Sequence, residues 1–287
     1  MKRWGGVYGL SVLLLAAVAA AAEPTAPQKL VTVGPAITDI VFALGAGEQV
    51  VGVDDSSLSL PSASRTRKVG YQRALSSEGL LALGVQLLLA TSEAGPPSVL
   101  EQLRGAGVKV VVLPNDATVE ATRHRIREVA RSLGQEARGE ELLKTLDQDL
   151  SQAAARVQAL AGTPRPRVLS IHARGAGVLM VAGQNTTANT LIQLAGGVNA
   201  VTGYEGYRTL TSEAVVEARP DILLLPRSSL EGLGGSKGLA QLPGLAVLKG
   251  WRVVTLEDVH LMGFGPYVGK AVEQLLEQLH PQERGAP

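Results

Sequence analysis

The 287-residue chain carries 27 Lys and Arg against 26 Asp and Glu, a formal net charge of +1, and no cysteine. A near-neutral balance gives no global attraction to nucleic acid or to an anionic membrane, and the missing cysteines exclude disulfides and Cys-based metal sites. Aromatic residues make up only 3% of the chain, so the position of each Tyr and Trp carries weight.

In chain order, Met1-Lys2-Arg3 is a short basic start, Leu10 to Ala22 is an apolar run, and Ala20-Ala21-Ala22 is an A-x-A-like cleavage site before Glu23. That is the layout of a cleavable signal peptide over residues 1–22, and the run is shorter than the roughly 20 apolar residues of a membrane span. Losing Lys2 and Arg3 brings the mature charge to about −1. A lipid anchor of Gram-positive type needs a cysteine just after the signal, so the expected address is a Gram-negative periplasm.

Leu30-Val31-Thr32-Val33 is a buried-strand candidate, followed by Gly34-Pro35 and a helical pattern over Ile37–Leu44. Strand patterns recur at Gln49–Val53, Leu87–Ala90 and Val108–Leu113, with a helix over Pro97–Gly105. Strands alternating with helices predict a mainly parallel sheet covered on both faces. From Ala117 to Leu133 and from Gln135 to Leu160 the pattern is helical, broken near Gly134. The second stretch predicts a rod of about 39 Å at 1.5 Å per residue, ended by Gly162-Thr163-Pro164-Arg165-Pro166. Strands resume at Arg167–Ile171, Gly177–Val181, Asp221–Leu225 and Arg252–Thr255, and a last helix runs over Pro266–Leu279. The expected division is therefore an N-terminal α/β lobe over 23–133, a connecting helix over 134–162 and a C-terminal α/β lobe over 163–287.

The halves read as degenerate copies. Gly70-Tyr71-Gln72-Arg73-Ala74-Leu75-Ser76-Ser77-Glu78 is echoed, one residue shorter, by Gly206-Tyr207-Arg208-Thr209-Leu210-Thr211-Ser212-Glu213. Each precedes a short helix and a strand, and Gly34–Gly47 resembles Gly183–Gly197. Two such copies imply similar lobes facing each other with corresponding loops at a cleft.

On these features the chain resembles the periplasmic binding proteins of ABC importers for metal chelates: vitamin B12, siderophores and haem. The resemblance implies two Rossmann-like lobes with mainly parallel sheets, joined by one long backbone α-helix, with the ligand cleft between the lobes. Val69-Gly70-Tyr71-Gln72-Arg73 followed by Ser77-Glu78-Gly79-Leu80-Leu81-Ala82-Leu83 is similar to the haem-receptor branch, where the loop tyrosine ligates haem iron. Met180–Ala188, Leu194–Gly197 and Leu223–Arg227 echo the same branch. The resemblance implies capture of ferric haem (iron protoporphyrin IX) as transported ligand, with Tyr71 as axial ligand. The implied partners are an ABC permease dimer and its ATPase subunits. A corrinoid or ferric-siderophore receptor of the same family is the alternative. Those clefts lean on Trp and several aromatics or on many arginines, whereas Trp4 falls in the signal segment and Trp251 lies away from the expected cleft loops.

The chemistry suits that reading. A phenolate is a hard, anionic oxygen that favours ferric iron. A free phenol ionises near pH 10, so ligation needs iron and nearby positive charge, which Arg73 or Arg227 would supply. Haem propionates pair with Arg in a bidentate fork, and Arg73, Arg174, Arg208 and Arg227 fall on expected cleft loops. Tyr207 is placed by the repeat opposite Tyr71. Of four histidines, His172 ends a second-lobe strand, where ligands of α/β sheets sit, and is a candidate for a second haem. His260 follows a strand; His124 and His280 read as surface. In the family one carboxylate on each lobe docks on the permease; Glu213 matches in the second lobe, and Glu93 is taken for the first, with Glu78 read as a helix-start residue. No G-x-G-x-x-G after a strand, phosphate loop or G-x-S-x-G elbow occurs, and no H-E-x-x-H, so no enzymatic activity and no bare-metal site are expected.

Overall fold

The computed structural model describes residues 28–174, 178–242, 244–246 and 250–281, with the side chain of Arg174 left aside. The expected signal peptide with its Trp4, and the Gly175-Ala176-Gly177 turn, lie outside the described residues.

The first lobe runs β1 (Leu30–Val33), α1 (Pro35–Ala43), β2 (Val50–Val53), α2 (Ser77–Ala82), β3 (Leu87–Thr91), α3 (Pro97–Gly105) and β4 (Lys109–Leu113). Two helices follow, α4 (Val119–Leu133) and α5 (Glu136–Ala159). Gly134 caps α4 in the left-handed conformation that only glycine adopts without strain, φ +64°, so the chain turns straight into α5. At 24 residues, α5 spans about 36 Å. The second lobe adds β5 (Arg167–Arg174), β6 (Val178–Ala182), α6 (Thr187–Leu194), β7 (Val198–Asn199), β8 (Tyr207–Thr209), α7 (Ser212–Ala218) and β9 (Ile222–Pro226). It closes with α8 (Arg227–Gly232), α9 (Gly235–Leu239), β10 (Arg252–Leu256), α10 (Asp258–Met262) and α11 (Val268–Leu279).

The first sheet is parallel throughout, in the order β2-β1-β3-β4. In the second, β7, β5, β9 and β10 are parallel neighbours in the same relative order, so the duplication legible in the loops extends to the sheets. The second sheet departs from the all-parallel pattern at one wing, where β6 pairs antiparallel with β5 and β8 with β6. That wing carries Tyr207.

Strand periodicity sorts the apolar residues between two faces. Leu87, Leu89, Ile222 and Leu224 enter one core, which continues through Leu143 and Leu146 of α5, Leu191 of α6 and Leu275 of α11. Leu88 and Ala90 face a separate cluster with Leu80 and Leu103, and Leu223 and Leu225 face a third with Val215 and Leu239. Both sheets are therefore buried on both sides, and the shared core fuses the lobes instead of leaving them on a hinge. Polar contacts cross the same junction: Thr122 and Arg125 of α4 donate to the Phe264 carbonyl at 3.3 and 3.1 Å, and Thr190 of α6 donates to the Ala117 carbonyl at 2.8 Å. Among the described residues no helix is long and apolar enough to cross a membrane.

A polar cleft between the lobes as the candidate ligand site

Ligands of parallel α/β sheets bind beyond the carboxyl ends of the strands. In the first lobe those ends border a cavity of about 580 Å³, within the usual range of small-molecule sites, which the antiparallel wing of the second lobe closes from the other side. One wall comes from the loops after β3 and β4, with Glu93, Asn115 and Asp116; the other from the start of α6 and β8, with Asn185, Thr187 and Tyr207.

The Tyr71 loop stands beside this wall on a backbone scaffold. The Val69 amide donates to Val53 at 2.9 Å, the Asp55 amide to Gly70 at 3.0 Å and the Gly95 amide to Gln72 at 2.9 Å. Gly70 has φ +97°, a turn that a side chain would strain, and it delivers Tyr71 outward. Tyr71 is 46% exposed, and its hydroxyl makes no hydrogen bond among the described residues.

Arg73 turns from Tyr71 to Glu93: its Nη2 donates to Glu93 Oε1 at 3.1 Å. Asn115 Nδ2 and Gln72 Nε2 donate to Glu93 Oε2 at 3.0 and 3.4 Å. Glu93 therefore sits in the cleft wall as the acceptor of three donors, a place that position after a strand alone does not reveal. Across the cleft, the Tyr207 ring meets His172 edge-on, centroids 4.8 Å apart at 82°. Burial pushes the Tyr207 phenol up to about 12, with the Glu93 carboxylate adding to the rise and a hydrogen bond with Thr187 opposing it. Tyr207 thus stays a neutral phenol at neutral pH, suited to stacking and hydrogen bonding. The fold brings His172 and Tyr207 together, as strands β5, β6 and β8 set them side by side.

Arg227 lies at the carboxyl edge of the second sheet and donates through Nε to Glu257 Oε1 at 2.6 Å. Arg208 leaves the cleft, its guanidinium 4.4 Å above the Tyr204 ring. The side chain of Arg174 is outside the described residues. Trp251 packs against the second lobe's own cluster. His260 sits on α10, with its Nδ1 buried and unbonded, and among the described residues no group of three or more His, Asp or Glu could hold a metal ion.

Glu78 and Glu213 occupy matching places. Ser76 caps α2 through the Gly79 amide and Thr211 caps α7 through the Ala214 amide, so each glutamate is the second helical residue of its lobe's short helix. Two residues on, Leu80 and Val215 are buried, and the next residues, Leu81 and Val216, are exposed.

Residues 30–252 match the family described as periplasmic binding protein. The chain belongs to that family. Two solved structures share the fold closely. The periplasmic heme-binding protein RhuT from Roseiflexus sp. RS-1, in apo form, is 37% identical, with a TM-score of 0.83 over 89% of this chain and 99% of that one. The periplasmic heme-binding protein BhuT in complex with two hemes is 38% identical, with a TM-score of 0.81 over 88% and 97%. The vitamin B12-binding protein of Photorhabdus laumondii subsp. laumondii is 24% identical over 96% of each chain. Periplasmic binding proteins are substrate-binding carriers.

Proposed function

We propose that this protein captures ferric haem in the interlobe cleft and hands it to the permease dimer of an ABC importer, whose ATPase subunits power uptake. Tyr71 carries the reading: an exposed phenol without a protein partner, held by a fixed loop beside the cleft, is what an iron ligand requires. The 37–38% identity to heme-binding proteins supports the same ligand. When bound, the ferric ion takes the Tyr71 oxygen as axial ligand, and Arg73 and Arg227 take the propionates. His172 is the candidate ligand for a second, stacked haem, with Tyr207 fixing its ring. Likeness to a structure holding two hemes supports that stoichiometry.

The relative named for vitamin B12 favours a second reading, a corrinoid receptor. The scarcity of aromatic residues speaks against it, since the one tryptophan among the described residues packs inside the second lobe. Titrating the purified protein with hemin and, separately, with cyanocobalamin decides between them. Saturation by hemin at two equivalents, falling to one in His172→Ala, is expected; saturation by cyanocobalamin alone refutes the haem assignment.

Delivery rests on the repeat. Glu213 and its structural mate Glu78, both exposed in the first turn of matching helices, give one carboxylate per lobe for a two-fold partner. Glu93 is the sequence's candidate for the first lobe, but its three donors hold it in the cleft wall. The shared core and α5 permit only small lobe movements, so release is driven by the permease. Glu78→Ala and Glu213→Ala are expected to keep full hemin binding and lose uptake; full uptake in both removes the docking role.

A further inference from the structure

The two arginines assigned to the haem carboxylates are already occupied by glutamates of their own lobes, Arg73 by Glu93 at 3.1 Å and Arg227 by Glu257 at 2.6 Å. Both pairs are open to solvent, so each contributes little to stability and either partner leaves at small cost. The surroundings of Glu93 go further. Because Asn115 and Gln72 also donate to it, the Glu93 carboxylate keeps two amide donors when Arg73 departs. Arg73 can change partner without stranding a charge, since the carboxylate it leaves stays hydrogen-bonded.

Glu93 also faces the ligand space. It lines the cavity together with Tyr207, and its charge is felt by the Tyr207 phenol. A carboxylate in that place accepts from the Arg73 guanidinium through one oxygen, as an incoming propionate would.

We propose that Glu93 is a resident stand-in for a ligand carboxylate: it holds Arg73 in the empty cleft and yields it only to a ligand bearing a free carboxylate. The Arg73–Glu93 exchange is then a specificity filter. A porphyrin without carboxylates cannot displace Glu93 and gains nothing from Arg73; a propionate competes like for like. This deepens the haem reading and rests on it.

The test compares hemin with hemin dimethyl ester, which has the same iron and ring but no free carboxylate, by absorbance titration of the wild type, Glu93→Gln, Arg73→Ala and the double variant. With the competitor neutralised, Glu93→Gln is expected to tighten hemin binding by about two- to fivefold, the span of an exposed ion pair. Binding of the ester should not change. The gain should vanish on the Arg73→Ala background, because only the coupling between the two residues produces it. Looser hemin binding in Glu93→Gln, or equal shifts for hemin and its ester, overturns the exchange while leaving the haem reading intact. A wild type that binds neither porphyrin overturns both.

Discussion

Replacing Arg125 with Met tests how firmly the lobes are joined. Arg125 is fully buried, and four hydrogen bonds leave its guanidinium: to the Pro114 and Asp116 carbonyls at 2.9 and 3.2 Å, to Thr122 Oγ1 at 2.9 Å and to the Phe264 carbonyl at 3.1 Å. The first two are part-buried, and water replaces them when the side chain is cut. The last two are buried, and hydrogen bonds to a charged group contribute about 1.5–3 kcal/mol each. Burial opposes the charge, pulling the guanidinium down to about 10, and relief of that desolvation trims the loss. A net destabilisation of about 3 kcal/mol is expected, a shift of about 1 M in the urea midpoint at a slope near 3 kcal/mol per molar. Hemin affinity should fall as well, because the Asn115–Thr118 loop that Arg125 secures lines the cleft. A loss below about 1 kcal/mol with an unchanged slope refutes the claim that this arginine ties α4 to the second lobe.

The Asp39 carboxyl is buried beside Gly265 and Tyr267, and desolvation pushes it up to about 7 from an ordinary 3.8. The folded state then binds more protons than the unfolded one between those values, so stability falls as pH rises from about 4 through 7. Asp39→Asn should flatten that fall, with a gain on the order of 4 kcal/mol above pH 7 and little below pH 4; parallel melts from pH 4 to 8 read it, and equal pH slopes in both proteins would refute it. Gly269 lets α11 meet α5: a Cβ there would stand 2.5 Å from the Asp149 Cβ and 3.2 Å from the Leu146 carbonyl. Gly269→Ala is therefore expected to cost about 1–3 kcal/mol despite its better helix propensity, and a stabilised variant in chemical denaturation would contradict the packing. Thr211→Ala removes the α7 cap and should cost about 1 kcal/mol, measured the same way.

The strands of both parallel cores were legible because they are short, continuous apolar runs between turn signals, and α4 and α5 because their periodic patterns are long. The duplication was legible in the Tyr71 and Tyr207 loops, and the matching Ser76 and Thr211 caps give it a physical basis. What local pattern does not carry are short elements and long-range pairs. The strands β7 and β8, of two and three residues, and the helices α8 to α10 are too short to show a period. In the antiparallel wing β6 was legible as a strand, but its pairing direction was not, because a strand pattern does not say which way its neighbour runs. The Tyr71 loop carries its family resemblance in the sequence, but that Arg73 turns to Glu93 was not legible there, since that pairing depends on how the loop after β3 folds back beside Gln72. Asn115 and Asp116, just past β4, lie where the strand-end rule looks for ligand contacts.

Ligation of haem iron by Tyr71 is tested most directly by the absorbance spectrum of the hemin-saturated protein, wild type against Tyr71→Ala. Such ligation predicts a high-spin ferric spectrum with a phenolate-to-iron charge-transfer band in the wild type, and loss of that band in a variant that still folds. A wild type without the band, or a Tyr71→Ala spectrum and affinity equal to wild type, would contradict it.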